Sequence, residues 1–322
     1  MPGIVLHNHF AKIVYSALEE EVKNAIGNIN LYEFGANGSD VFLYRYFISK
    51  KQLQKNEEIY IKMHTKNTKA FLIELSREAR LNKDLFSYLA GYVCHYYLDA
   101  ITQPYAFYKT GVYDPSINNS VKYRGLQQKL QRGMDCYVLE NYFNVNPNTF
   151  KIYSKMLKLK KLPKTIMQDI NVLYEKVYDV DNAFKLINEN IRWQRGFYRF
   201  IYDPIGIKSK ILSKVDNGKS IIDLNYLTLY NKSINIRNFD IFNFKHERWF
   251  NPADDTITSI DSYFDLMEKA KKITLEAIDA LYKYIFLDEV VNLDKYFADV
   301  SMFTGLACSA QREMKYFNNV FK

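Results

Sequence analysis

The chain has 322 residues, of which 48% are hydrophobic and 16% are aromatic. Glycine (12) and proline (7) are scarce, whereas tyrosine (27) and phenylalanine (22) are abundant. This composition excludes an intrinsically disordered chain, and it favours helices over many short strands. The formal net charge of +8 favours anionic partners such as phosphate esters, acidic membrane surfaces or nucleic acid. The same excess can also be spread over solvated faces without any partner.

The three cysteines and the N-terminal segment indicate the cellular compartment in which the protein is expected. Cys94, Cys136 and Cys308 form no CxxC pair, which predicts free thiols in a reducing environment. Residues 1–21 lack the basic and long apolar regions of a signal peptide. No run reaches about 18 uncharged apolar residues, so no membrane-spanning helix is predicted. We therefore expect a soluble cytoplasmic protein.

Apolar residues recur at helical spacing through most of the chain. This pattern predicts helices over residues 8–26, 68–80, 82–102, 122–143, 165–190, 258–286 and 310–320. The segment 82–102 is apolar on nearly every side, which is typical of a helix at the centre of a fold. The segment 262–284 has the clearest single apolar stripe.

Turn residues separate the predicted helices. The strongest loop signals are GANGSD (35–40), GVYDPSINNS (111–120) and NVNPN (144–148). Residues 203–256 are the least regular part of the chain. Because no internal repeat and no low-complexity linker interrupts the pattern, we predict one all-α domain over residues 1–322.

His95 and Asp99 carry the first sign of chemistry. They are four residues apart in the most apolar predicted helix, so both side chains lie on one face. Burying an imidazole and a carboxylate is costly unless they are paired or bind a metal. His7 and His64 lie near the starts of other predicted helices, and Asp40 ends a glycine-rich loop. Side chains from several elements can therefore converge on one site.

Histidine and aspartate are suitable zinc ligands, and three protein ligands with an open position make a catalytic site. Each residue also has an ordinary structural interpretation. His95 and Asp99 can form a hydrogen-bonded core pair, and Asp40 can cap a helix. His64 can precede a threonine cap. The residues alone leave these alternatives open.

The order of the motifs resembles the bacterial zinc-dependent phospholipase C family, which shares a fold with S1/P1-type nucleases. The matching strings are LHNHF (6–10), GANGSDVF (35–42), KMHT (62–65), AGYVCHYYLDAITQPY (90–105) and YRGLQQKLQRGMDCYVLENYF (123–143). ERWFNPADD (247–255) and SYFDLMEKAKKI (262–273) extend the resemblance. It implies an all-helical phosphodiesterase with up to three zinc ions that cleaves phospholipids on the glycerol side.

The resemblance also implies a set of ligands. Asp40, His64 and His95 would hold one ion, and Asp40 would be both a ligand and a general base. His7 would hold a second ion, with Asp99 near or between the two. His9, next but one to His7, would be a core or surface residue.

The positions that the resemblance assigns to a third ion read Gln103, Gln127 and Gln131. A neutral amide is a poor zinc ligand, so we expect that this whole site is lost and that one or two zinc ions remain. The three amides could instead hydrogen-bond to one another.

Three functions follow as hypotheses. The first is a phospholipase C-like phosphoric diester hydrolase with a two-metal site and reduced or altered activity. The second is a non-catalytic relative that binds metal and a lipid head group or a protein. A nuclease is the weakest, because no stacking motif or concentrated basic cluster favours nucleic acid. The tyrosine-rich segment 104–113 could make peripheral membrane contact, or its aromatic residues could belong to the core.

Overall fold

The computed structural model describes residues 3–44, 50–114, 116–216, 218, 223–229 and 238–321, and it confirms the all-α fold class. Its α-helices are α1 (Ile4–Ala17), α2 (Glu20–Ala25), α3 (Ile29–Ala36), α4 (Lys50–Thr65), α5 (Thr68–Leu81), α6 (Phe86–Thr110), α7 (Leu126–Asn141), α8 (Ile152–Lys155), α9 (Met167–Tyr178), α10 (Ala183–Phe200), α11 (Ile207–Val215) and α12 (Tyr263–Phe286). A 3-10 helix spans Gly38–Tyr44. The antiparallel strands β1 (Trp249–Asn251) and β2 (Asp254–Ser259) form a small hairpin.

Helix α6 is the centre of the fold, as its sequence predicts. Every residue from Phe86 to Asp99 is buried. Because this helix is apolar on all sides, it is stable only when other helices surround it. Helices α1, α3, α5, α7 and α12 all pack against it.

Helices α3 and α6 cross with their backbones in contact. A Cβ atom on Gly91 would lie 2.1 Å from the carbonyl oxygen of Tyr32, and one on Gly35 would lie 2.4 Å from that of Tyr88. Backbone atoms at this distance cannot rotate away, so glycine is required on both sides of the crossing. Since the 3-10 helix follows α3 directly, this contact also sets how closely Asp40 approaches α6.

Many of the tyrosines lie in the core, and several of their hydroxyl groups find hydrogen-bond partners there. Tyr32 donates to the carbonyl of Ala11 at 2.8 Å, and Tyr88 and Tyr174 share a hydrogen bond of 3.0 Å. A buried phenol needs such a partner because its hydroxyl loses water on folding. The high tyrosine content therefore reflects core packing.

The tyrosine-rich segment 104–113 belongs to this core. Its first seven residues form the last two turns of α6. Tyr105, Phe107 and Tyr108 are 0%, 6% and 5% exposed, and Tyr105 donates to a backbone carbonyl at 2.9 Å. The structure therefore supports the interpretation that the aromatic residues of this segment belong to the core.

Two predicted helices are each divided in two. The segment 8–26 breaks after α1, where Leu18 and Glu19 are extended. The segment 165–190 breaks between α9 and α10, where Asp179 and Asn182 are left-handed, with φ of 59° and 52°. Asp and Asn tolerate this conformation better than most residues, which is why the chain turns there.

The predicted helix over residues 310–320 is wrong. Beyond Ala310 this segment forms no helix, and several of its backbone amides donate to other elements instead of to one another. Lys315 and Tyr316 donate to the carbonyl of Pro252 in the hairpin, at 2.7 and 3.0 Å. Asn318 donates to the carbonyl of Tyr108 at the end of α6, at 2.7 Å. Tertiary hydrogen bonds therefore replace the local ones that the apolar spacing suggested.

Four described α-helices were not predicted, and one of them is the four-residue helix α8. Helix α3 overlaps the GANGSD loop and shortens it, and α4 is too polar to show a clear stripe. Helix α11 lies in the irregular segment 203–256. The last long helix begins at Tyr263 and not at residue 258, because residues up to Ser259 belong to strand β2. Ser262 and Asp265 form a capping box at its start.

The cysteines are free thiols: Cys94 and Cys136 are buried, and Cys308 is half-buried. Among the described residues, no helix combines the length and the apolar character needed to cross a membrane.

The glycine crossing gives a direct test of the fold. Gly91→Ala should destabilise the protein by about 1–3 kcal/mol, because the new methyl group overpacks a contact between two backbones. Gly196→Ala in α10 is the matched control, since no atom lies within 4 Å of the place its methyl group would take and alanine favours a helix by up to about 1 kcal/mol. Urea unfolding of both variants measures the difference. Equal stability of Gly91→Ala and the parent would contradict the close crossing.

Candidate metal centre

Four helical elements bring five ionisable side chains together in the core. His7 lies in the second turn of α1, Asp40 in the 3-10 helix, and His64 at the end of α4. His95 and Asp99 lie one turn apart on α6. Asp40 keeps 7% side-chain exposure, and the other four keep at most 1%. All five residues predicted as metal ligands therefore meet in one cluster.

Asp99 stands between the three histidines. Its Oδ1 lies 3.4 Å from Nε2 of His7, whereas its Oδ2 lies 3.3 Å from Nε2 of His64 and 3.7 Å from Nε2 of His95. The two oxygens thus face different histidines. This arrangement suits a carboxylate that bridges two ions.

Asp40 faces the same centre from the opposite side. Its Oδ2 lies 3.7 Å from His7 Nε2, and its Oδ1 lies 3.8 Å from His64 Nε2. Asp40, His64, His95 and Asp99 each offer a ligand atom within 4.8 Å of the others. These separations are too long for good hydrogen bonds. Two ligands of one tetrahedral zinc, each bound at about 2.0–2.1 Å, lie roughly 3.3 Å apart, which the closest pairs match.

Many polar atoms of the cluster are buried without a partner. Among the described residues, no hydrogen bond reaches either ring nitrogen of His7 or of His95, Nε2 of His64, Oδ1 of Asp40 or Oδ1 of Asp99. A buried, unsatisfied polar atom costs about 1–3 kcal/mol, so such a concentration is rare in a native core. A cation would satisfy most of these atoms at once. The donor set therefore fits zinc, and a hydrogen-bonded His95–Asp99 pair does not explain it.

The charges of the cluster agree with this fit. Burial lowers the pKa of His7 to about 3 and lowers the pKa of His95 well below its usual value, so both rings are neutral at pH 7. Neutral imidazoles offer lone pairs to a metal. Burial, and then the nearby Asp99 carboxylate, raise the pKa of Asp40 well above its usual value. A bound cation would offset both effects and favour the ionised carboxylate.

His64 is oriented by its other ring nitrogen. Nδ1 lies 2.9 Å from the carbonyl oxygen of Tyr60 and 3.1 Å from Oγ of Ser39. A proton on Nδ1 that is donated to this carbonyl leaves the lone pair on Nε2, which faces the two carboxylates. Such a hydrogen bond fixes the tautomer of a metal-binding histidine.

Gly38 lets the GANGSD loop pack directly on His95. Its φ is +50°, and a Cβ atom there would lie 2.1 Å from the imidazole ring. Both the backbone conformation and the lack of space require glycine. The loop thereby places Asp40 and holds the His95 ring in one orientation.

Asp135 is a supporting residue that the sequence analysis missed. This buried side chain of α7 accepts a hydrogen bond from the backbone N–H of Leu6 at 3.2 Å, in the first turn of α1. A Cβ atom on Gly3, the residue before α1, would lie 2.2 Å from the same carboxylate. Asp135 thus caps α1 from another helix and fixes the position of His7, the residue after Leu6. The sequence signal that could have identified Asp135 is its place in the matching string at residues 123–143.

The three glutamines do not form the mutual hydrogen-bond network that the sequence left possible. Gln103 is buried, and its Nε2 donates to Oδ2 of Asp99 at 2.5 Å. Gln127 and Gln131 lie one turn apart on α7 and are half-buried. In the described part of the chain no hydrogen bond joins these amides to one another. Gln103 therefore holds the central carboxylate in place.

His9 lies outside the cluster. It is half-buried, and its ring packs against Tyr142 and Phe143, with centroid distances of 4.7 and 5.7 Å. This position agrees with the expectation of a core or surface residue.

The fold and the site together define an all-helical protein with a buried His/Asp cluster that could hold a metal ion. The chain belongs to the family described as zinc dependent phospholipase C, which it matches over residues 6–179. All five residues of the cluster lie within this match. No curated protein and no solved structure gives a significant match to the chain.

Gly38→Ala should lower zinc affinity by about 10–100-fold, because it displaces the His95 ring without removing a ligand. Gly27→Ala is the matched control, since no atom lies within 4 Å of the position its methyl group would occupy. Competition with a fluorescent zinc chelator measures both affinities, and circular dichroism checks that each variant is folded. Unchanged affinity in folded Gly38→Ala would contradict the packing of this loop on His95.

Proposed function

We propose that this protein is a zinc-dependent phosphodiesterase of the phospholipase C type with a two-ion centre. Asp40, His64 and His95 would hold one ion and His7 would hold the second, with Asp99 near or between the two. The observation that carries the proposal is the central position of Asp99, whose two oxygens face different histidines at 3.3–3.7 Å.

Bound zinc supplies Lewis acidity, which polarises a phosphoryl oxygen and makes water a stronger nucleophile at neutral pH. The chain supplies the remaining groups. Asp40 is the most exposed member of the cluster, with 7% of its side chain accessible. Its carboxylate would accept the proton of the attacking water, as a general base. The amide of Gln103 keeps Asp99 in place beside it.

The substrate class follows from the family, since a zinc-dependent phospholipase C acts on phospholipids. Hydrolysis on the glycerol side releases a diacylglycerol and a phosphorylated head group. We treat residues 1–322 as one catalytic domain, because α12, which lies beyond the matched region, packs along the central helix α6.

We expect the turnover to be low. Gln103, Gln127 and Gln131 stand at the positions that the resemblance assigns to a third ion, and amides bind zinc poorly. Without that ion, the phosphate in the transition state loses one source of charge stabilisation, which is commonly worth several kcal/mol.

A non-catalytic metal protein is the second candidate, and the burial of the site favours it. Four of the five cluster residues keep at most 1% side-chain exposure. Structural zinc sites are closed in this way, whereas a catalytic site keeps an open position. Asp40 has the largest exposed fraction in the cluster, at 7% of its side chain.

Elemental analysis and turnover measured on the same preparation separate these functions. The proposal predicts about two zinc ions per chain and slow release of phosphorylated head group from phospholipid. His95→Ala should lose at least one equivalent, and Gln127→Ala, the matched control, should keep both. Asp40→Asn should lower kcat by about 10²–10⁴-fold, because it removes the proton acceptor.

Each other outcome contradicts part of the proposal. Less than one zinc equivalent after zinc is supplied would overturn the metal centre. Two equivalents without turnover would establish the non-catalytic function. Cleavage of single-stranded DNA but not of phospholipid would indicate a nuclease.

A further inference from the structure

A short segment carries an unusual concentration of exposed apolar side chains. Of the 21 large hydrophobic side chains that are exposed among the described residues, five lie between residues 200 and 215. They are Phe200 (50%), Ile205 (69%), Ile207 (56%), Ile211 (55%) and Val215 (60%). Single exposed apolar residues are common, but a contiguous group marks a surface that meets another apolar phase. We call residues 199–215 the α11 surface.

The apolar residues of α11 form one stripe. Successive residues of a helix are rotated by about 100°, so Ile207, Ile211 and Val215 fall within an arc of about 80°. Ser209 is buried and Leu212 is half-buried against the core, which shows that the opposite side of the helix faces the protein. The stripe therefore points away from the fold.

Lysines flank this stripe on both sides. By the same rotation, Lys208 lies beside Val215, and Lys210 and Lys214 lie on the other edge. Nζ of Lys208 also donates to the carbonyl of Phe200 at 2.6 Å and lies 5.7 Å from the centre of its ring. An exposed apolar stripe between lysines is the pattern of a helix that lies in a membrane interface.

The acidic residues of the same segment are used internally. Asp203 is buried and accepts a hydrogen bond from the N–H of Ser209 at 2.7 Å. Asp216, just after α11, forms an ion pair of 2.7 Å with Arg124. The exposed charged side chains on the α11 surface are therefore cationic, namely Arg199, Lys210 and Lys214. Such a surface complements an anionic partner.

We propose that the α11 surface binds the interface of a bilayer that contains anionic phospholipid. The apolar stripe would enter the boundary between head groups and acyl chains, and the lysines would contact the phosphates. A second copy of this chain fits less well, because a symmetric contact through the stripe brings the flanking lysines of both copies together. The inference relies on the proposed function only for the choice of phospholipid as the partner.

The α11 surface is linked to the metal centre through two tyrosines. Tyr198 lies two residues before Phe200, and its hydroxyl is 3.1 Å from that of Tyr44. Tyr44 belongs to the same 3-10 helix as Asp40, the most exposed residue of the cluster. Helix α10 and the 3-10 helix would therefore connect a bilayer at the α11 surface to Asp40.

Vesicle co-sedimentation of the zinc-loaded full chain tests this proposal. Vesicles of phosphatidylcholine with about one third phosphatidylglycerol should bind the protein, and binding should weaken as salt rises. Ile207→Ser with Ile211→Ser should reduce partitioning by about 10–100-fold, since each loses burial in the interface. Lys210→Gln with Lys214→Gln should reduce it by about 10–30-fold, and only on the anionic vesicles.

Matched double variants control for general surface changes. Leu81→Ser with Val290→Ser removes two apolar side chains that are 84% and 105% exposed, and Lys55→Gln with Lys272→Gln removes two exposed lysines elsewhere. Both should bind vesicles like the parent. Thermal unfolding verifies that every variant is folded.

Hydrolysis of a short-chain, monomeric phospholipid separates this inference from the proposed function. The α11 variants should keep the parental rate on that substrate, because they change no residue of the metal centre. Equal vesicle binding by the parent and the α11 variants would overturn the surface while leaving the function intact. A dimer that Ile211→Ser disrupts, without vesicle binding, would reassign the surface to a second copy. Vesicle binding without any turnover would support the surface and contradict the function.

Discussion

The burial of Asp99 in the central helix is the constraint on which the rest of the site depends. A carboxylate without solvent access, in a segment that is otherwise apolar and aromatic, is stable only beside compensating groups. Here the neighbours are three imidazoles and a second carboxylate, Asp40, and burial makes His7 and His95 neutral. Neutral histidines do not offset the charge of ionised aspartates, whereas a bound cation would do so. The family to which the chain belongs is described as zinc dependent.

The fold positions this cluster by close backbone contacts more than by long side chains. Gly35 and Gly91 let α3 pack closely against α6, and Gly38 lets the start of the 3-10 helix contact the His95 ring. Asp135 then fixes the start of α1 and with it His7. These contacts are specific because a methyl group would break each of the three glycine contacts. They explain why a chain with so few glycines places several of them around one site.

The sequence predicted the all-α class, the central helix and the pairing of His95 with Asp99, because each depends on local spacing. The convergence of His7, Asp40 and His64 depends on tertiary contacts; the residues alone made it possible, and the family resemblance specified it. Asp135 was missed because its partner is a backbone amide 129 residues away. The segment 310–320 was wrongly predicted as a helix because its backbone hydrogen bonds are also long-range. Helix α11 was missed because it is only nine residues long and lies in the least regular part of the chain.

The central claim is that one buried cluster holds two zinc ions that share Asp99. Anomalous diffraction from crystals of the zinc-loaded protein, with data collected on both sides of the zinc absorption edge, tests it most directly. The account predicts two peaks, one among Asp40, His64 and His95 and one beside His7, with Asp99 between them. Two ions about 3.5–4 Å apart would have the spacing of a two-metal phosphodiesterase. A single peak would remove the bridging role of Asp99, and no peak at the cluster would contradict the metal centre itself.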